Sequence, residues 1–418
     1  TLVLAACGGD DGGGGPVGPP PGGGSTLRVQ GGGNNVPDRF SSDLWVHGVW
    51  AYTGTWGGFP RNGTVGNAVK IWSLDGQGAP TLADSITLPQ ITTVSDVEVS
   101  GDGQVLMFST EGGLGAGLYL YSLTDPAAPV FLDSVSVSTG IHTATFGTIA
   151  GRRYAFAARN PQDPALLIYD VTDPGDISPV AQVPVPPLYG IHDTFVRDGI
   201  AFVFAWNSGV IIYDVGNGIA GGSPAAPQEV GRLVTATDGL DGPRAHSGWW
   251  FHNPVRGERR YLFVCQEGPA VIGSRSSGDV HVVDVSDLAH PTEVAYFTLA
   301  GAGAHNVWMD EDRAILYVSY YNAGVVALDV SGTLSGNLSS RLISRLAPGG
   351  AGSTFTWGVQ LAGGSVYASD MLSGLWQLGL EEQLSAISYR PAAISYRLSV
   401  IGQRWPEPFA RSWWRVTC

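Results

Sequence analysis

Short apolar runs separated by glycine- and aspartate-containing turns recur along most of the chain, and no long run with helical spacing interrupts them. β-Branched and aromatic residues dominate these runs, which favours strands. One strand occurs in seven aligned copies, in which a small residue precedes apolar residues and often an aspartate and a turn. The copies are AVKIWSLDG (68–76), GLYLYSLTDP (117–126), ALLIYDVTDP (165–174), GVIIYDVGN (209–217), DVHVVDVSD (279–287), GVVALDVSG (324–332) and GLWQLGL (374–380).

A hairpin precedes each copy, as in DTFVRDGIAFVFAW (193–206), and a proline-led apolar run follows most copies. Four antiparallel strands in each repeat of 46–59 residues predict an all-β fold, a seven-bladed β-propeller of four-stranded blades. The seventh repeat offers only three strands, so we expect STLRVQ (25–30) to complete it. The predicted propeller therefore spans residues 25–384.

The residue that begins the first strand of each predicted blade forms one column of the alignment. Because the first strand of a blade lines the central channel, we expect a polar ring around one mouth of the channel. The column contains Asp43, Asp96, His142, His192, His246, His305 and Trp357.

The six aspartate and histidine side chains of this column have two main interpretations. Neutral imidazole and carboxylate are ordinary ligands of divalent transition metals, so the six are candidate metal ligands. Alternatively, they hydrogen-bond the backbone of neighbouring blades. Acid–base catalysis is a third option, but the sequence assigns no catalytic residue, and whether the protein is an enzyme stays open.

The loops between second and third strands reach the same face as the column and carry mixed charges and aromatic rings. Such a surface is typical of a docking site for a protein or carbohydrate partner. With Trp357, the candidate contact residues are Trp56, Arg61, Glu111, Arg159, Trp206, Glu267, Arg275, Tyr321 and Asp370.

The two ends of the chain differ from the repeats. LAAC (4–7) is similar to a bacterial lipobox and precedes a Gly/Pro-rich tract at 8–24, which predicts a residual signal, lipidation of Cys7 and a flexible tether. The protein would then be a cell-envelope lipoprotein that meets the membrane only through its anchor. Residues 385–418 carry five arginines and one acid and are interpreted as an appended tail, either disordered or packed on a partner.

Charge and motifs exclude several function classes. The net charge of −14 argues against nucleic acid, whose binding relies on clustered basic residues. The three cysteines have no metal-binding spacing. Nucleophile elbows, phosphate loops and HExxH zinc motifs are also missing from the sequence.

Repeats such as LLIYDVTDP and VHVVDVSD resemble the LVIVD-repeat family of bacterial β-propellers over roughly 43–380. The resemblance implies a secreted or surface propeller and brings no established reaction or catalytic residue. We therefore expect a lipid-anchored, extracytoplasmic scaffold that binds partners through its loops. The alternatives are a metal-binding protein or metal-dependent enzyme that uses the Asp/His ring, and a structural subunit of a surface assembly.

Overall fold

The computed structural model describes residues 24–33, 39–57, 65–75, 79–160, 162–186 and 190–382. Within these ranges the strands form seven separate sheets, each with four antiparallel strands, which confirms the predicted seven-bladed propeller. The predictions for Cys7, Arg61 and the 385–418 tail lie outside the described residues. In the described ranges, the one helical element is a 3-10 turn at Ser339–Arg341, and no helix is long and apolar enough to span a membrane.

The first three blades follow strand β1 (Ser25–Gly32), and each uses four consecutive strands. Blade one contains β2 (Phe40–His47), β3 (Trp50–Trp56), β4 (Ala68–Ser73) and β5 (Thr81–Thr87). Blade two contains β6 (Ile91–Val99), β7 (Val105–Gly113), β8 (Gly117–Ser122) and β9 (Val130–Ser136). Blade three contains β10 (Ala144–Ile149), β11 (Arg152–Arg159), β12 (Ala165–Asp170) and β13 (Ser178–Pro184).

Blades four to six continue this order with one addition. Blade four contains β14 (Asp193–Arg197), β15 (Ile200–Phe204), β16 (Val210–Asp214) and β17 (Gln228–Leu233). Blade five contains β18 (Ala245–Asn253), β19 (Glu258–Gln266), β20 (Val280–Asp284) and β21 (Thr292–Phe297). Blade six contains β22 (Val307–Asp310), β23 (Ile315–Ser319), β24 (Val325–Asp329) and β26 (Leu342–Leu346), while the short β25 (Gly336–Asn337) pairs in parallel with β21.

The seventh blade joins the two ends of the propeller. It contains β27 (Thr356–Ala362), β28 (Ser365–Asp370) and β29 (Gly374–Glu382), and β1 pairs antiparallel with β29 as the fourth strand. Leu27 of β1 lies opposite Leu380 and is almost completely buried. The N-terminal strand thus closes the ring.

The aspartate repeated at the end of the third strand is a turn former. The carboxylate accepts a hydrogen bond from the backbone N–H two residues later at Asp170, Asp214, Asp284 and Asp329, with N···O distances of 2.9, 2.9, 3.0 and 2.9 Å. This geometry mimics a backbone turn and ends each strand at the same position. The most regular element of the repeat is therefore explained by local structure.

A bulge recurs at one position of the repeat. In blades one to six the register shifts where the third strand pairs with the fourth, and a bulge increases the local twist. The shifts lie at Ile71/Trp72, Leu120/Tyr121, Ile168/Tyr169, Ile212/Tyr213, Val282/Val283 and Ala327/Leu328.

The core lies between neighbouring blades. Phe156 and Ile168 of blade three pack with Val203 and Ile211 of blade four in one buried cluster, and each blade contact is built in this way. The second and third strands are buried on both faces because each blade has a neighbour on either side. Burial of this apolar surface fixes the ring and holds the first strands around the central channel.

Candidate functional site

Four histidines meet at one mouth of the channel, where the first strands of blades three to six begin. Their ring centroids are 4.2 Å apart for His142 and His192, 4.0 Å for His192 and His246, and 4.0 Å for His246 and His305. His246 and His305 are each 2% exposed. We call these four residues the histidine cluster.

Glu267, from the end of β19, brings a carboxylate to the histidine cluster. Its Oε2 lies 3.7 Å from His192 Nε2 and 3.8 Å from His246 Nε2. The Nε2 atoms of His142 and His192 are 3.1 Å apart. His192, His246 and Glu267 are the one group of His, Cys, Asp or Glu, among the described residues, whose ligand atoms all lie within 4.8 Å of one another.

Several buried imidazole nitrogens of the histidine cluster have no hydrogen-bond partner. They are His192 Nδ1, both ring nitrogens of His246, and His305 Nε2. A buried polar atom without a partner costs about 1–3 kcal/mol, so such atoms are rare in folded proteins and call for a ligand, an ion or water. One of them, His246 Nε2, lies 3.8 Å from Glu267 Oε2.

Other groups orient the rings from outside. Glu111 Oε1 lies 2.9 Å from His142 Nδ1, and the backbone carbonyl of Trp357 accepts a hydrogen bond from His305 Nδ1 at 2.7 Å. Both bonds place the proton on Nδ1 and leave the Nε2 lone pair facing inward when the ring is neutral. The Tyr321 hydroxyl donates to Glu267 Oε1. Carboxylate, carbonyl and hydroxyl partners of this kind typically position metal-ligating side chains.

The ring of Trp206 stacks on His192, with centroids 4.9 Å apart and planes at 19°. Trp357 lies 4.4 Å from His305, and Trp56 lies 5.2 Å from Trp357. These aromatic side chains surround the histidine cluster and limit its contact with water.

Burial controls the protonation of three of the histidines. It holds the pKa of His192 and of His246 well below the usual range, with repulsion from the neighbouring imidazoles adding to it, and it lowers the pKa of His305 to about 3. For His142, burial also disfavours the charge, but the adjacent Glu111 outweighs it and raises the pKa. At neutral pH the rings of His192, His246 and His305 are therefore neutral, the form that binds metals.

The separations match those of ligands around one metal ion. Metal–ligand bonds of about 2.1 Å at tetrahedral angles place neighbouring ligand atoms roughly 3.4 Å apart. The Nε2 and Oε2 separations of 3.1–3.8 Å lie on either side of this value. Imidazole nitrogens with one carboxylate suit zinc, copper, iron or manganese.

Two predicted ligands, Asp43 and Asp96, face the same cavity but lie outside this set. They belong to a carboxyl cluster of Asp43, Asp96, Glu98 and Asp193, in which the backbone N–H of Ala144 donates to Asp96 Oδ2 at 2.8 Å. Burial raises the pKa of each of the four carboxyl groups, that of Asp193 to about 8, and nearby carboxyls add to the rise for Asp43, Glu98 and Asp193.

The predicted loop residues divide into two groups. Glu111, Glu267, Trp206, Tyr321 and Trp357 contact the histidine cluster, and Trp56 contacts Trp357, as described above. The other predicted loop residues have local contacts. Arg159 Nε donates to the Asp163 carbonyl at 2.8 Å, Arg275 pairs with Val271 in a turn, and Asp370 accepts backbone N–H groups of Phe355, Leu372 and Ser373.

The sequence did not identify Glu98, Asp193, Trp45, Trp249 and Trp308, which also line the cavity. Each lies one to three residues after a member of the column. An alignment of the later positions of each first strand, and not only of its first residue, could therefore have identified them.

Hydrogen bonds between blades involve mainly the backbone of the column residues. Hydroxyl groups of Ser109, Thr143 and Ser319 donate to the carbonyls of His142, His192 and Trp357 at 2.6, 2.7 and 2.7 Å. Among the imidazoles, His305 Nδ1 takes part in such a bond. Blade-to-blade bonding therefore does not account for the unpartnered Nε2 atoms.

No protein-family model and no curated protein matches the chain, so the resemblance to the LVIVD-repeat family stays a prediction. Solved structures with a similar fold include the C-terminal WD40 domain of Sif2, at 12% identity and a TM-score of 0.51, which covers 82% of this chain and 81% of that one. Sqt1 of Saccharomyces cerevisiae has 11% identity and a TM-score of 0.54, with coverage of 85% and 84%.

A third similar structure is a functionally unknown protein from Desulfotomaculum acetoxidans DSM 771, at 11% identity and a TM-score of 0.52, with 72% of this chain and 86% of that chain covered. At such identities the likeness extends to the propeller fold, and function has to be argued from the site.

Proposed function

We propose that this protein binds a divalent transition-metal ion at the mouth of its channel. His192, His246 and Glu267 supply ligand atoms, and the Nε2 atoms of His142 and His305 complete the set. The observation that carries the proposal is that ligand atoms of His192, His246 and Glu267 lie within 4.8 Å of one another, beside imidazole nitrogens that have no hydrogen-bond partner. A purely structural cluster would leave the cost of those unpaired nitrogens without compensation.

Metal analysis of the purified protein tests this function. We expect one ion per chain after loading with Zn²⁺ or Co²⁺ and dialysis, and a Co²⁺ visible spectrum typical of nitrogen and oxygen ligands. The double variant His192→Ala/His246→Ala should lose the ion and the spectrum, whereas His290→Ala, at an exposed histidine outside the cluster, should keep both. A wild-type chain that retains none of Zn²⁺, Co²⁺, Cu²⁺, Fe²⁺ or Mn²⁺ would contradict the proposal.

A second candidate function is a protein-binding scaffold, which the propeller fold of the WD40-like neighbours suggests. The exposed side chains of Val130 and Phe131 on the outer strand β9 favour it, since apolar groups on a sheet edge are typical contact points. Cross-linking of native extracts with wild-type and Phe131→Asp protein tests it. A partner captured equally by both variants would argue against this edge.

The proposal of a lipid anchor rests on LAAC (4–7) and the Gly/Pro tract that follows, and it carries the expected location outside the cytoplasm with it. Metabolic labelling with a palmitate analogue, in the wild type and in Cys7→Ser, tests both points. Label in the wild type alone would support the anchor.

A further inference from the structure

An axial cavity of about 220 Å³ lies inside the ring of first strands and is bounded at one end by the histidine cluster. Its volume is below the roughly 300–1,000 Å³ of pockets for drug-sized ligands. The cavity is therefore suited to a molecule of few heavy atoms. The metal centre proposed at Glu267 and the histidine cluster does not explain the rest of this cavity.

Several carboxyl groups line the cavity. The carboxyl cluster faces it, and neither lysine nor arginine is found among its described lining residues. Hydrogen bonds hold these carboxyl groups in place: Glu98 Oε2 accepts from the Phe146 N–H at 2.9 Å, and Asp43 Oδ1 accepts from Asn306 Nδ2 at 3.1 Å. These donors are uncharged, and a cation beside the carboxyl groups would favour their ionised form and be attracted by it.

Further along the first strands, four rings form a continuous arc. Trp45 and Trp308 have centroids 5.5 Å apart, Trp308 and Trp249 5.0 Å, and Trp249 and Phe195 5.1 Å, with interplanar angles of 76°, 53° and 50°. The indole N–H of Trp249 donates to Glu311 Oε1 at 3.1 Å, which fixes its orientation. We call these four side chains the aromatic arc.

Aromatic rings set at steep angles to one another are the usual surroundings of a quaternary or alkylated ammonium group, because the face of each ring attracts a cation within about 6 Å. Carboxyl groups beside such rings add a second attraction. The opposite end of the same cavity carries the buried, unpartnered Nε2 atoms of His246 and His305, which present electron pairs rather than positive charge.

We infer that the axial cavity binds a small organic cation, an alkylammonium compound whose charge lies among Asp43, Asp96 and Glu98 and whose alkyl groups contact the aromatic arc. A bare metal ion fits this part of the cavity less well. Among the described residues, three ligand atoms lie within 4.8 Å of one another at His192, His246 and Glu267, and no such group of three occurs within the carboxyl cluster. The inferred site is therefore distinct from the proposed metal centre.

Calorimetric titration of the full chain with choline tests this inference, with 3,3-dimethyl-1-butanol as the uncharged probe of the same shape. We expect choline to bind and the alcohol to bind at least tenfold more weakly. Glu98→Gln, which keeps an oxygen for the Phe146 N–H, and Trp249→Phe should each weaken choline binding at least threefold. Glu258→Gln, at an exposed ion pair with Arg256, is the matched control and should change nothing.

Equal affinity for the two probes, or no binding of choline to a folded, metal-loaded chain, would overturn the inference. Asp43→Asn replaces Glu98→Gln if the latter fails to fold, as judged by circular dichroism. Titration of the His192→Ala/His246→Ala variant separates the two proposals. Choline binding by this variant without metal binding supports a cation site that is independent of the metal, whereas metal binding by the wild-type chain without choline binding leaves only the metal centre.

Discussion

His142 Nε2 and His192 Nε2 lie 3.1 Å apart, although 50 residues separate the two histidines in the chain. His142 Nδ1 in turn lies 2.9 Å from Glu111 Oε1, and this carboxylate raises the pKa of His142. In a loaded protein the lone pairs of the two Nε2 atoms would face one ion. The contact therefore links the outer carboxylate Glu111 to the proposed metal centre.

Glu111→Gln should weaken metal binding by about 10–100-fold without abolishing it, because the carboxylate orients His142 and increases its basicity. Competition with a chromophoric chelator for Zn²⁺ measures the change. Glu267→Gln should weaken binding further, since this carboxylate is a direct ligand in the proposal. An unchanged affinity in Glu111→Gln would remove Glu111 from the centre.

Because β1 closes the ring, we expect truncation of Leu27 to destabilise the protein strongly and truncation of Val29 to destabilise it weakly. Leu27 is 2% exposed and packs between the sixth and seventh blades, whereas Val29 is 43% exposed. Leu27→Ala should lower the free energy of unfolding by about 2–5 kcal/mol. Val29→Ala should lower it by less than about 1 kcal/mol. Urea denaturation of both variants measures the difference, and equal effects would mean that β1 contributes little to closure.

The hydrogen bonds of the turn at Asp214 predict that the stability of the folded protein decreases at acidic pH. Its carboxylate accepts N–H groups of Gly216, Asn217, Ala220 and Gly222, among others, and these bonds outweigh burial and lower the pKa of Asp214. The folded pKa lies below the unfolded value of about 3.9. The ionised carboxylate therefore contributes its full stabilisation to the folded state above about pH 3.9, and this stabilisation is lost as the pH falls below that value towards the folded pKa.

Asp214→Asn should therefore lower the free energy of unfolding by about 1.5–3 kcal/mol near pH 7, the usual contribution of hydrogen bonds to a charged group. The gap to the wild type should narrow below about pH 4. Denaturant titrations at several pH values measure it. Asp173→Asn, at an exposed turn aspartate, is the control, and a gap that stays constant down to pH 2 would contradict the prediction.

Cys265 should resist alkylation in the folded protein. Its side chain is completely buried, and burial raises the pKa of the thiol to about 12, so the reactive thiolate is scarce at neutral pH. Peptide mass spectrometry after iodoacetamide treatment at pH 8, with and without denaturant, should find modified Cys265 only in the denatured sample. Rapid labelling of the native protein would show that β19 opens readily.

Much of the architecture follows from the sequence because each blade repeats the same local chemistry. The third strand of the repeat is apolar on both faces, and the aspartate that ends it accepts N–H groups of its own turn, as at Asp170 and Asp284. Repetition of this unit predicts a ring of blades, and the same alignment brings the four histidines into one column. These features depend on residues close together in the chain.

Tertiary structure alone divided that column into the histidine cluster and the carboxyl cluster. Register shifts interrupt the strand pairing near three members of the column, between Ser41 and Leu44, Val94 and Asp96, and Ala245 and Ser247. Spacing in the sequence does not reveal such bulges.

Two other features of the site also depend on the closed ring. Glu111 lies in the second strand β7, and Glu267 directly follows the second strand β19. In the sequence, 31 residues separate Glu111 from His142, and 54 separate Glu267 from Tyr321. The aromatic arc takes its four rings from blades one, four, five and six, which the closed ring brings together around the channel. The sequence by itself determined the blades and which residues face the channel, whereas burial and ring closure decided which of them meet.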